Sequence, residues 1–142
     1  MLKESIINHH TALVYTMVIA AAADRNIQQT ELSTIKNIIK TLPVFHDYDA
    51  QHADRAMGDC IALLEQTEGI DAALGLIKEA LPTRFCETAY AIACDVVAAD
   101  GAAEQEELHW LQLLRHKLAV NRLHAAAIER GARARYMRTD IK

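Results

Sequence analysis

Residues 98–108 read Ala98-Ala99-Asp100-Gly101-Ala102-Ala103-Glu104-Gln105-Glu106-Glu107-Leu108, and residues 22–32 read Ala22-Ala23-Asp24-Arg25-Asn26-Ile27-Gln28-Gln29-Thr30-Glu31-Leu32. Laying 20–44 over 96–120 makes 8 of 25 positions identical, and Leu42 and Val44 fall on Leu118 and Val120. Each copy reads as an Ala-rich helix, a short acidic turn and an amphipathic helix. Leu32, Ile35, Ile39 and Leu42 recur at helical spacing, as do Leu108, Leu111, Leu114 and Leu118, so each set forms one apolar stripe that must pack. The first helix of each copy, about 3–23 and 83–99, is apolar around much of its girth, which places it inside a bundle.

The segment between the copies continues the pattern. Ala53, Met57, Cys60, Ile61 and Leu64 form a stripe within a helix from about 50 to 68, with Gly69 as its C′ residue. Ala73, Leu76, Ile77 and Ala80 form the next, closed by Pro82. The longest loop falls at 42–49, and Asn121 caps a last helix running to about 135. No stretch alternates as a strand. The expected architecture is all-α: one domain over 1–142, a bundle of about seven helices built from two pseudo-repeated hairpins. The copies span about 12–44 and 88–120, with a basic end at 121–142.

Composition agrees. The 142 residues are 51 % hydrophobic and 24 % charged, with 5 Gly and 2 Pro. That is enough apolar material for a core and too few turn formers for an all-β fold. The net charge of −4 conceals a division. Residues 1–114 hold 7 Lys/Arg and 17 Asp/Glu, whereas residues 115–142 hold 8 and 2. An acidic body with 5 % aromatic residues argues against nucleic acid as a partner. The basic end, with Arg130, Arg133, Arg135 and Arg138, suits an anionic partner or a membrane surface, or complements its own helix dipole.

Cys60, Cys86 and Cys94 form no C-x-x-C pair, so neither a disulfide framework nor a zinc ribbon is expected; they read as buried thiols in a reducing cytoplasm. Lys3 followed by the apolar run 12–23 resembles a leader peptide. Against that, Glu4, Asn8, His9 and His10 make a poor charged region, the run is too short to span a bilayer, and a similar segment recurs inside the chain. His109 and His116 project within about 20° of one another but lie too far apart along one helix to share a metal. Asp95, between Cys94 and Val96, is expected to face outward. No nucleophile elbow, P-loop or dinucleotide fingerprint is present, so no enzyme is expected; a metal-dependent hydrolase is the alternative that enclosed carboxylates would support.

Two roles suit the acids of the turns. With Gln28 and Glu104 at N-cap positions, Glu31 and Glu107 fall at N3 and can bond back to a free N–H as a capping box. Alternatively, Asp24, Glu31, Asp100 and Glu107, joined by Glu104 and Glu106, converge about a pseudo-two-fold axis on a divalent cation. Oxygen ligands favour Ca²⁺ or Mg²⁺ over zinc. Neither turn is an EF-hand, because Ile35 and Leu111 occupy the twelfth position.

A helix ending in small residues, then Asp-Gly, then Glu seven residues after the Asp, doubled in a helical chain of this length, resembles the tellurite-resistance TerB family over roughly 12–120. The resemblance implies an all-α fold, a role in tellurite resistance and related chemical stress, an acidic metal-binding surface, and association with other stress-response proteins at the inner face of the membrane. By position it carries over to Asp100 and Glu107, and to Asp24 and Glu31. Arg25 stands where the family has Gly, and its charge opposes a cation beside Asp24, so the second turn is the better site. The function expected is therefore a cytoplasmic, non-enzymatic TerB-like binding module. The alternative is a metal-free adaptor or co-chaperone-type docking domain that uses an apolar helix face or the basic end.

Overall fold

Asn8 decides where the first helix begins. Its side-chain oxygen accepts from the Thr11 backbone N–H at 2.8 Å, which satisfies one of the donors left open at a helix start. α1 therefore spans His9–Ala22 and not the stretch from Lys3 that periodicity suggests. The computed structural model describes residues 6–23, 27, 29–99, 101 and 103–140. Among these the order is α1, α2 (Gln29–Thr41), α3 (Ala50–Leu64), α4 (Gly69–Ala80), α5 (Cys86–Ala98), α6 (Gln105–Lys117) and α7 (Arg122–Arg135), with no strand. The described residues thus form an all-α domain of seven helices.

α1 and α5 are the central pair, as their apolar girth implies. Every residue from Ala12 to Ala21 is buried, and α1 packs against α2, α3, α4, α5 and α6. α5 packs in turn against α1, α2, α6 and α7. α2 and α6 therefore each rest on both central helices.

The stripes are rotated from their simplest reading. α6 buries Glu107, Trp110, Leu111 and Leu114, and the following Leu118 is also buried, while Leu108 is 52 % exposed. Trp110 turns the helix toward α1, because its Nε1–H donates to the Thr16 carbonyl at 3.1 Å. α2 buries Glu31, Ile35, Ile38 and Ile39, leaving Leu32 and Leu42 half-buried. In α3 the small Ala53, Ala56 and Cys60 face the core and Ile61 stays exposed.

Gly69 does not end α3. That helix stops at Leu64, and Gly69 is the buried first residue of α4. A Cβ there would lie 2.3 Å from the Leu63 carbonyl oxygen, so close backbone approach requires glycine. The left-handed turn falls on Glu68 instead, at φ 58. Two short 3-10 turns, Pro43–Phe45 and Thr83–Phe85, lead the chain into α3 and α5. The first buries Phe45 within the stretch expected to be loop, and the second shortens the helix expected to begin at residue 83. Asn121 caps α7 as expected, accepting from the N–H groups of Leu123 at 2.8 Å and His124 at 3.3 Å.

Candidate functional site

Glu31 and Glu107 are each the third residue of their helices, α2 and α6, and each is 1 % exposed. They are the two buried acidic side chains among the described residues. A carboxylate withdrawn from water needs strong partners, and a helix start supplies them through open N–H groups and the positive dipole end. At α6 the partner is explicit. The Glu104 backbone N–H donates to Glu107 Oε1 at 2.8 Å, and the two residues close a capping box. Gly101 sits at φ 81, the conformation its position in the turn calls for.

Of the six acids considered as ligands, Glu104 and Glu107 are brought together, through the cap. Glu104 and Glu106 are exposed. Glu31 is buried at the position equivalent to Glu107. Asp24 and Asp100 lie outside the described residues, as do Arg25 and Gln28. Among the described residues no three His, Cys, Asp or Glu side chains gather as a metal site.

The remaining titratable groups have resolved surroundings. All three cysteines are buried, and Cys86, Tyr90 and Cys94 share one face of α5 as their spacing requires. Burial pushes the thiols of Cys60 and Cys94 up to about 12, with the Glu129 carboxylate adding to the effect at Cys94. Asp95 is not outward-facing. Its side chain is 15 % exposed and accepts from Arg135 Nη2 at 2.5 Å. That contact raises the Arg135 pKa and anchors the end of α7 to α5. His10 Nε2 meets the Val44 carbonyl at 2.9 Å, and His124 Nδ1 pairs with Glu87 at 2.7 Å, tying α7 to α5 a second time. His109 and His116 are exposed.

A larger feature escaped sequence reading. α6 and α7 both rest on α5 but scarcely touch each other. Between them runs a groove of about 840 Å³ lined by Val97, Leu108, Leu111, Ala126 and Tyr136, with Arg115, Arg122, Arg133 and Arg138 around it. The signal was present in the spacing of Arg122, Ala125, Ala126, Glu129, Ala132 and Arg133, which share one face of α7. Their packing on α5 could not be read from it.

Among the described residues, a bundle of seven helices in which α2 and α6 each bury a glutamate in the first turn defines an all-α module. The chain matches the family described as Tellurite resistance protein TerB over residues 10–130. It belongs to the TerB family and is a tellurite-resistance-associated module. No curated protein and no solved structure gave a match. No described helix is long and apolar enough to cross a membrane.

Proposed function

We propose that this chain is a non-enzymatic binding module of a tellurite-resistance and chemical-stress assembly, working in the cytoplasm at the inner face of the membrane. In this reading the second acidic turn, with Asp100 and Glu107 as principal ligands, holds a hard divalent cation. The observation that carries it is the burial of Glu31 and Glu107, each the third residue of its helix, α2 and α6. A carboxylate withdrawn from water beside a turn that carries Asp100 and Gly101 is the right donor for Ca²⁺ or Mg²⁺. Calorimetry on metal-stripped protein with Ca²⁺, Mg²⁺, Mn²⁺ and Zn²⁺ tests this. Binding that disappears in Asp100→Asn with Glu107→Gln supports the site; no binding, or binding unchanged by those substitutions, rejects it.

A second reading, a metal-free adaptor whose acids act as caps, is favoured by the capping box itself. It expects Glu107→Gln to lower thermal stability by about 1 kcal/mol, within the usual range for a helix cap, while partner capture survives. Truncation is the wrong probe of the basic end, because Arg135 secures Asp95. Charge reversal of Arg130 and Arg133 leaves that pair intact.

A further inference from the structure

Three helices frame the groove. α5 forms its floor with Tyr90, Cys94, Val97 and Ala98. α6 supplies one wall with Leu108, Leu111, Gln112 and Arg115, and α7 the other from Arg122 to Tyr136. The lining of α7 covers fourteen residue steps, about 21 Å at 1.5 Å per residue. The trough is open: Leu108 is half exposed, and Ala103, Ala126 and Met137 are exposed. A small ligand is held in a site that encloses most of its surface, which this trough does not do. A helix laid in a trough buries one face and leaves the other wet. The small side chains of Ala98, Ala125, Ala126 and Ala132 along the floor and wall permit the close approach that helix packing needs.

Charge states what kind of helix fits. The groove carries Arg115, Arg122, Arg133 and Arg138 against one carboxylate, Glu129, which accepts from the Tyr90 hydroxyl at 2.5 Å. Arg138 is held by Asp140, and Arg115 lies against His116. Arg122 and Arg133 make no ion pair with any described residue. They stand eleven residues apart on the α7 face, about 16 Å. Buried apolar anchors between two cations of that spacing call for an apolar stripe flanked by acids.

We propose that the α5–α6–α7 groove docks an amphipathic acidic helix of a partner protein, about four turns long. Its apolar residues at i, i+4, i+7 and i+11 sit over Val97, Leu108 and Leu111, and its carboxylates near either end pair with Arg122 and Arg133. This rests on reading the chain as a binding module and uses no ligand of the acidic turns. Loss of cation binding therefore leaves it standing, and its failure leaves the cation site untouched.

The test titrates the full chain with two synthetic eighteen-residue helical peptides that share leucines at those positions and carry glutamate or lysine elsewhere. The body is acidic, so unspecific attraction favours the lysine peptide, and preference for the glutamate peptide reports the groove. The expected results are micromolar binding of the glutamate peptide, amide shift changes confined to α5, α6 and α7, and at least tenfold weaker binding in Arg122→Glu with Arg133→Glu. Ala126→Trp, at an exposed position, should also weaken binding tenfold by filling the trough. Equal binding of both peptides, no binding by either at 1 mM, or insensitivity to both variants overturns the proposal. So does displacement by equimolar decanoate with the same groove shifts, which would make the occupant a single-chain anionic amphiphile.

Discussion

Trp110 Nε1–H donates to the Thr16 carbonyl at 3.1 Å, joining α6 to the middle of α1 across 94 positions of sequence. Both residues are buried, and Thr16 uses its own hydroxyl on the Leu13 carbonyl at 2.7 Å. A single indole thus sets the roll of α6 and determines that Leu108 faces outward. Trp110→Phe keeps a ring but loses the bond and part of the volume. It should cost about 2 kcal/mol, from one hydrogen bond and a small cavity. Denaturant unfolding followed by circular dichroism measures this, and a loss under 0.5 kcal/mol would show that the indole bond does not hold α6 to α1.

Two glycines in α4 should respond in opposite directions to the same substitution. Gly75 lies in the exposed helix interior, where a Cβ meets nothing within 4 Å. Gly75→Ala should raise stability by about 0.5–1 kcal/mol through helix propensity. Gly69→Ala would drive a Cβ against the Leu63 carbonyl and should lower the midpoint of thermal unfolding. Equal shifts for the two variants would refute the close approach at Gly69.

The thiols offer a chemical readout of burial. With their pKa values at about 12, Cys60 and Cys94 carry roughly a thousandth of the thiolate of a free cysteine at pH 8. In native protein they should resist iodoacetamide and in denaturant react fully, while Cys86, whose pKa is raised less, leads. Peptide mass mapping over time resolves the three sites. Rapid native alkylation at Cys60 would place it outside the core.

His9 should couple stability to acid. Burial, then the neighbouring His10 and Arg84, hold its pKa below the ordinary 6.5. The unfolded chain therefore takes up this proton first as pH falls. Stability from His9 is whole above pH 6.5 and declines from there down to the folded-state pKa. Proton NMR should find its titration midpoint below 6.5, and His9→Gln should flatten the fall of Tm between pH 7 and 5. A midpoint above 6.5 would reverse the sign and contradict the packing of His9 against Phe85, whose ring centres lie 5.4 Å apart.

The sequence alone determined the fold class and the helix count, and it offered capping by Glu104 with Glu107 as one of two roles, because these rest on local periodicity and on short-range bonds between residues three or four apart. It also marked α1 and α5 as central, since only an interior helix can be apolar on every side. Tertiary structure decided what local spacing leaves free. The roll of α6 follows from Trp110 reaching Thr16 and not from the leucine stripe. The half-buried Asp95 is held by Arg135, forty residues away. Gly69 is needed by a carbonyl of the preceding helix and not by its own dihedral angles. The arginine-lined groove exists because α6 and α7 both lean on α5 and scarcely touch each other. A gap between two helices is a property of how they pack on a third, and no residue of either encodes it locally.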